Sequence, residues 1–279
     1  MMKQLTTLIF MLGLASGAYG AYAGSVVSSW YAAPIENYYP LGLTYGDGYV
    51  WIPYCYSGFL CRMTKRLPEN GSIVTSFPMD VLGLPPKLGW RQNPKYLYGV
   101  SQTNPIQWFD SHTGSRVGSF RVPGVFWPSG IDYDETHPGK PIWLCQRGTS
   151  VERPPMIWNL TQEGIVVASF DMRSKPVNPA KIAYGDNVPG GPYLYVGTSA
   201  APTLIHVMNP KTGSLYASFR APISDRALSD MTWDGRYLWA LENGGYPPPP
   251  NLAWVYRFVA HGFPAVAPAS VGKIKALYR

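Results

Sequence analysis

Residues 215–219 read Leu-Tyr-Ala-Ser-Phe, a β-rich run that closes on a small residue and then a ring. The same ending recurs at Val26-Val-Ser-Ser-Trp30, Ile73-Val-Thr-Ser-Phe77, Arg116-Val-Gly-Ser-Phe120 and Val166-Val-Ala-Ser-Phe170. After each run come a loop and a short segment ending in Tyr or Trp. These segments are Leu41-Gly-Leu-Thr-Tyr45, Lys87-Leu-Gly-Trp90, Ser129-Gly-Ile-Asp-Tyr133, Ala180-Lys-Ile-Ala-Tyr184 and Ser229-Asp-Met-Thr-Trp233. Five positions before these rings stand Pro40, Pro85, Pro128 and Pro179, then Leu228. Four prolines at one offset mark a repeated entry into a strand.

A polar turn leads onward to Tyr49-Val-Trp51, Tyr96-Leu-Tyr98, Ile142-Trp-Leu144, Tyr193-Leu-Tyr195 and Tyr237-Leu-Trp239. A third strand then enters a tight turn ending in glycine, as at Gly114, Gly164 and Gly213, where the residue supplies the positive φ a hairpin needs. Successive Tyr/Trp anchors lie 45, 43, 51 and 49 residues apart. Four short strands in units of that length are the pattern of propeller blades. A β-sandwich also alternates short strands, but equal spacing and recurring anchors favour the propeller. Helical repeats are excluded, because no long stretch carries a 3.6 period free of Gly and Pro. Residues 25–30 form a Ser-ring strand with no blade before it, and residues 254–258 form a third strand with no partner after it. Their pairing would close the ring and hide both edges. The expected fold is all-β: a five-bladed β-propeller closed by pairing of the N-terminal strand with the last blade.

Over residues 24–263 the pattern resembles the broad superfamily of extracytoplasmic propellers with YVTN, NHL and quinoprotein-like repeats. That resemblance implies the fold and no single activity, because the superfamily hosts binders, scaffolds and enzymes. Residues 1–23 read as a signal peptide: Lys3 gives a positive start, residues 8–14 are apolar, and Ala21-Tyr-Ala23 is a small-x-small cleavage site. Residues 264–279 lie outside the repeat and read as a linker and short basic C-terminal tail, with a strand docked on the ring as the alternative. The expected location is secreted, periplasmic or cell-surface, with no transmembrane segment after signal removal.

Charged residues are only 14% of the chain, well under the roughly 25% of soluble domains, as suits short half-buried strands. The net charge of +7 is spread thinly rather than clustered, so no nucleic-acid partner is indicated. Cys55 and Cys61 flank a short turn between strand-like segments, and a disulfide is expected there in an exported protein. Cys145 is left over and is expected as a buried thiol. A monomer is expected.

Function should sit on the face that carries the irregular aromatic loops, because long loops on a rigid scaffold are where binding resides. Tyr38, Tyr39, Trp127, Arg226 and Tyr246 are the candidate ligand-binding residues, for a carbohydrate, a peptide or a surface partner. Glycosidase chemistry requires two carboxylates about 5–10 Å apart across one cleft. The inner strands offer only Asp132 and Asp230, from blades three and five, and both are expected to hydrogen-bond neighbouring backbone. They remain the weak catalytic candidates. Glu36, Asp80, Asn178 and Asp225 stand at uneven offsets from the anchors, and the four histidines lack metal spacing, so neither metal nor cofactor is expected. Three readings stay open. The favoured one is non-catalytic recognition through the aromatic face. The others are a hydrolase or lyase at the channel mouth, using Asp132 and Asp230 with Lys87, Lys181 or Arg226, and a structural envelope module attached through its tail.

Overall fold

Each Ser-ring run forms the outermost strand of a four-stranded antiparallel blade, and each Tyr/Trp anchor ends the innermost one. The computed structural model describes residues 23–32, 39–56, 60–80, 87–100, 105–139, 141–198, 202–223, 227–243 and 253–260. Blade one comprises Thr44–Gly46 with the short Tyr39–Pro40, then Tyr49–Tyr56, Leu60–Arg66 and Ile73–Met79. Blade two comprises Lys87–Arg91, Tyr96–Val100, Ile106–Asp110 and Arg116–Phe120. Blade three runs Pro128–Tyr133, Ile142–Gln146, Met156–Leu160 and Val166–Asp171. Blade four runs Pro179–Gly185, Tyr193–Thr198, Leu204–Met208 and Leu215–Arg220. Blade five takes Ala227–Trp233, Leu238–Asn243 and Trp254–Phe258 and borrows Val26–Tyr31 from the chain's beginning as its fourth strand.

The borrowed strand is the closure. Trp30 pairs with Val255 and Tyr31 with Trp254, and Gly24 N donates to Val259 O at 2.7 Å. The chain's two ends are thereby stitched into one sheet, and the all-β five-bladed propeller read from the repeat is the fold. Inner strands are buried on both faces, as all seven residues of Pro179–Gly185 show. Outer strands alternate, with Arg116–Phe120 half-buried and exposed in turn.

Two rings of contacts hold the blades together. In the inner ring, a second-strand aromatic of one blade stacks on the anchor of the next. The pairs are Trp51–Trp90 (5.3 Å between centroids), Tyr98–Tyr133 (5.5 Å), Trp143–Tyr184 (6.0 Å), Tyr195–Trp233 (5.8 Å) and Trp239–Tyr45 (6.2 Å). Such pairs contribute about 0.5–1.5 kcal/mol each beyond area burial. Blade three corrects the sequence alignment by one residue. Trp143, not Leu144, pairs with the residue before its anchor, as Trp51, Tyr98, Tyr195 and Trp239 do in theirs. In the outer ring, the glycine before each Ser-ring strand lies on the ring of the preceding blade. A Cβ at Gly71, Gly114, Gly164 or Gly213 would come within 2.3–2.7 Å of Trp30, of Phe77 or its neighbouring Pro78 carbonyl, of Phe120 or of Phe170 respectively, and Gly24 lies over Phe219. All five glycines have positive φ. Apolar clusters fill the junctions between these rings, one at each blade pair among the described residues.

The disulfide is present. Cys55 and Cys61 are directly paired across the blade-one hairpin, Cα to Cα 4.1 Å. Cys145 is a buried thiol, pushed up to about 12 by burial. Among the described residues no helix is long and apolar enough to cross a membrane.

Candidate functional site

Alternate residues of a strand face the same side, so each inner strand contributes two positions to the propeller axis. Three before the anchor stand Gly42, Lys87, Gly130, Lys181 and Asp230. One before it stand Thr44, Gly89, Asp132, Ala183 and Thr232. Small residues are required where inner strands converge. A Cβ on Gly130 would lie 2.9 Å from the Lys181 Cα, and one on Gly89 would lie 3.2 Å from the Asp132 Cα.

The larger side chains of these layers tie the strands to one another. Asp230, fully buried, accepts from Leu43 N at 3.0 Å and Leu88 N at 3.2 Å, joining blade five to blades one and two. Asp132, also buried, accepts from Tyr184 N at 2.6 Å, joining blade three to blade four. Thr232 Oγ1 repeats that bond on Tyr45 N at 3.4 Å. Lys87 Nζ donates to Leu41 O and to Ser229 Oγ, the latter at 3.2 Å. Lys181 Nζ donates to Ser129 O at 3.2 Å. An ammonium has three donors, so Lys181 keeps capacity for further acceptors.

Burial sets the electrostatics of this core. It pushes the Lys87 ammonium down to about 7, assisted by Lys181 and opposed by Asp230. It lowers Lys181 as well, against the pull of Asp230. Burial raises the Asp230 carboxyl, while the two lysines and the Leu43 and Leu88 amides draw it back. Asp132 is carried up to about 8, again by burial first, with the Tyr184 and Tyr133 amides opposing.

Above this layer, on the face carrying the long loops, a cavity of about 420 Å³ is lined by Trp127, Ser129, Arg147, Gly148 and Thr149. Trp127 is 39% exposed, a large area for a ring of its size. Its loop is fixed from below: Gln146 Oε1 accepts from Phe126 N at 2.8 Å and Trp127 N at 3.4 Å, while Gln146 Nε2 donates to Pro154 O at 2.9 Å. One buried amide therefore clamps the 123–127 and 147–155 loops together. The second loop is held again where Asn178 Oδ1 accepts from Gly148 N at 3.0 Å. Next to Trp127, Phe126 is half exposed, with the Arg153 guanidinium 5.3 Å from its ring centroid. The mouth thus combines an aromatic plane, hydroxyls and cations.

Of the residues expected at a binding face, Trp127 stands on this cavity. Tyr39 is half-buried and pairs with Cys55 in the blade-one sheet. Tyr38, Arg226 and Tyr246 lie outside the described residues, as do Glu36 and Asp225. Asp80 and Asn178 are exposed, and Asn178 caps a loop amide. Among the described residues no three His, Cys, Asp or Glu side chains form a group able to hold a metal. Sequence reasoning missed Gln146, Ser129 and Arg147. Ser129 was within reach, since it stands four before its anchor just as Ser229 does.

No protein-family model matches the chain, and no curated protein matches it. Among solved structures it is similar to a chain of hydrazine synthase from Kuenenia stuttgartiensis, with 15% identity and a TM-score of 0.50 over 78% of this chain and 60% of that one. It is also similar to a chain of a mitotic checkpoint complex, with 12% identity and a TM-score of 0.46 over 75% and 59%. The chain therefore spans about 60% of the length of these solved chains. At 15% identity, the likeness to the hydrazine synthase chain speaks for the fold alone.

Proposed function

We propose that the protein is an exported, non-catalytic recognition propeller of the extracytoplasmic repeat type, and that its loop-face mouth binds an acidic glycan. The observation that carries this reading is the exposed, clamped Trp127 on a cavity whose remaining wall is Ser129, Arg147, Gly148 and Thr149. A flat apolar plane suits the face of a sugar ring, hydroxyls suit its polar edge, and Arg147 with Lys181 below suits a carboxylate. Fixing the plane beforehand lowers the ordering cost of binding. The Cys55–Cys61 bridge fits an oxidising compartment. Export itself is tested by mass spectrometry of the mature chain, which should begin just after residue 23.

Calorimetric titration with an oligogalacturonate, beside a neutral cello-oligosaccharide of equal length, tests the ligand class. The acidic chain should bind and the neutral one should bind at least about tenfold more weakly. Trp127→Ala should lose about 0.5–1.5 kcal/mol of affinity, the range of one stacked ring, with the fold intact. Equal affinity for the two sugars, or no loss in Trp127→Ala, would overturn the assignment.

A further inference from the structure

The opposite end of the channel has another character. On the face of the short turns, a cavity of about 280 Å³ is walled by the anchors Tyr45, Trp90, Tyr133, Tyr184 and Trp233, so every blade contributes a ring. Five carboxyl groups also line it: Asp47, Asp132, Glu135, Asp186 and Asp234. Among the described residues no Lys, Arg or His lines it, although the chain as a whole carries a net charge of +7. Tyr133, only 6% exposed, adds a buried hydroxyl that has no hydrogen-bond partner among the described residues.

Cations beside the wall reach two of these acids, and burial holds Asp132 protonated near neutral pH. Lys95 Nζ reaches Asp47 at 2.9 Å, and Arg257 Nε stands 3.7 Å from Asp234, whose other bonds go to Arg236 N, Tyr237 N and Trp239 Nε1. Arg91 lies 5.8 Å from the Tyr133 ring, outside the wall. His137 bonds the Tyr184 hydroxyl at 2.9 Å and pairs with Asp134. Asp186 accepts its neighbour's amide, Asn187 N, at 2.8 Å, and Glu135 accepts Gln92 N. Both of these acids are half-buried on the rim.

We infer that this turn-face mouth binds an organic cation, an ammonium or guanidinium carried on a short apolar stem. Carboxylates spread around an aromatic wall suit an organic cation, whose charge meets the acids while its stem packs on the rings. A bare metal ion is a poorer fit, because it needs oxygens converging within about 2.6 Å of one point and no such group of acids stands there among the described residues. The cavity is near the small end of ligand pockets, roughly 300 Å³, which suits one side chain or a small amine. The two mouths thus have opposite polarity, and this site is independent of the glycan reading.

The test is calorimetric titration of the full chain with N-acetyl-arginine amide, with its uncharged counterpart N-acetyl-citrulline amide, and with 1,5-diaminopentane. The arginine derivative or the diamine should bind at least about tenfold more tightly than the citrulline derivative, with an affinity that falls as salt rises. Tighter binding of the arginine derivative identifies a protein side chain as the source, and tighter binding of the diamine identifies a free amine. Glu135→Gln with Asp186→Asn keeps an acceptor for both backbone amides while removing the charge, and should weaken binding about tenfold. Val167→Ala, an exposed position on the outer strand of blade three, should leave it unchanged. No measurable heat at millimolar ligand, equal binding of the citrulline derivative, or equal affinity in the double variant would each overturn the inference.

Discussion

Asp132, a weak catalytic candidate in the sequence, makes a definite structural bond in the fold. An acid on an inner propeller strand is well placed for chemistry, yet this one accepts the Tyr184 amide across the blade boundary. Its folded carboxyl titrates near 8 against an ordinary value of 3.8, because burial disfavours the charge. Between those values the native state holds a proton that the unfolded chain has released, so its contribution to stability falls as pH rises from about 4 to about 8. Asp132→Asn keeps an acceptor for Tyr184 N and cannot ionise. Chemical denaturation across that window should therefore show the wild type losing ground to the variant, by on the order of a few kcal/mol at pH 8. Parallel curves for the two proteins would contradict the role given to this carboxyl. Asp230 behaves as its companion, with two lysines partly offsetting the burial.

At the scale of the element, the blade was legible because its two marks serve two different contacts. The anchor rings were readable as a period because each must stack on the neighbouring blade, and the Ser-ring strands because each must receive the next blade's glycine. What escaped the sequence follows from the connections. The longer turn between Tyr133 and Ile142 removes the local ruler, so Trp143 was placed one position away from its structural equivalents. The acids of the turn face were readable in principle: Asp47, Glu135 and Asp186 each stand two after an anchor, and Asp234 one after. Acids are common in polar turns, so the offset from the anchors alone does not set these apart. Gln146 left no signal, since a buried amide clamping two loops depends on contacts that no spacing reveals. The glycine contact can be measured against an internal control. Gly164 and Gly124 both have positive φ (84° and 82°), but a Cβ on Gly164 meets Phe120 at 2.4 Å whereas one on Gly124 meets nothing within 4 Å. Gly124→Ala should cost about 1 kcal/mol for the backbone alone, and Gly164→Ala about 1–3 kcal/mol more from crowding of the ring. Equal losses in urea denaturation would remove the glycine-on-ring contact from the account.

For the whole molecule, both mouths and every blade junction depend on the ring being shut. The layer of Lys87, Lys181 and Asp230 exists only because blades one, two, four and five all reach the axis. Blade five reaches it as a complete sheet only with the chain's opening strand in place. An open ring would leave the Trp254–Phe258 edge unpaired, which proteins avoid because such edges recruit other chains. The most direct test is a cross-link at the seam, since Ser29 and Tyr256 are paired residues there. Ser29→Cys with Tyr256→Cys, and a protease site placed in the 147–155 loop, should oxidise to a form whose two cleaved halves stay covalently joined until reductant is added. Halves that separate without reductant, in a protein otherwise folded, would show that residues 29 and 256 do not meet and would contradict the closed five-bladed ring.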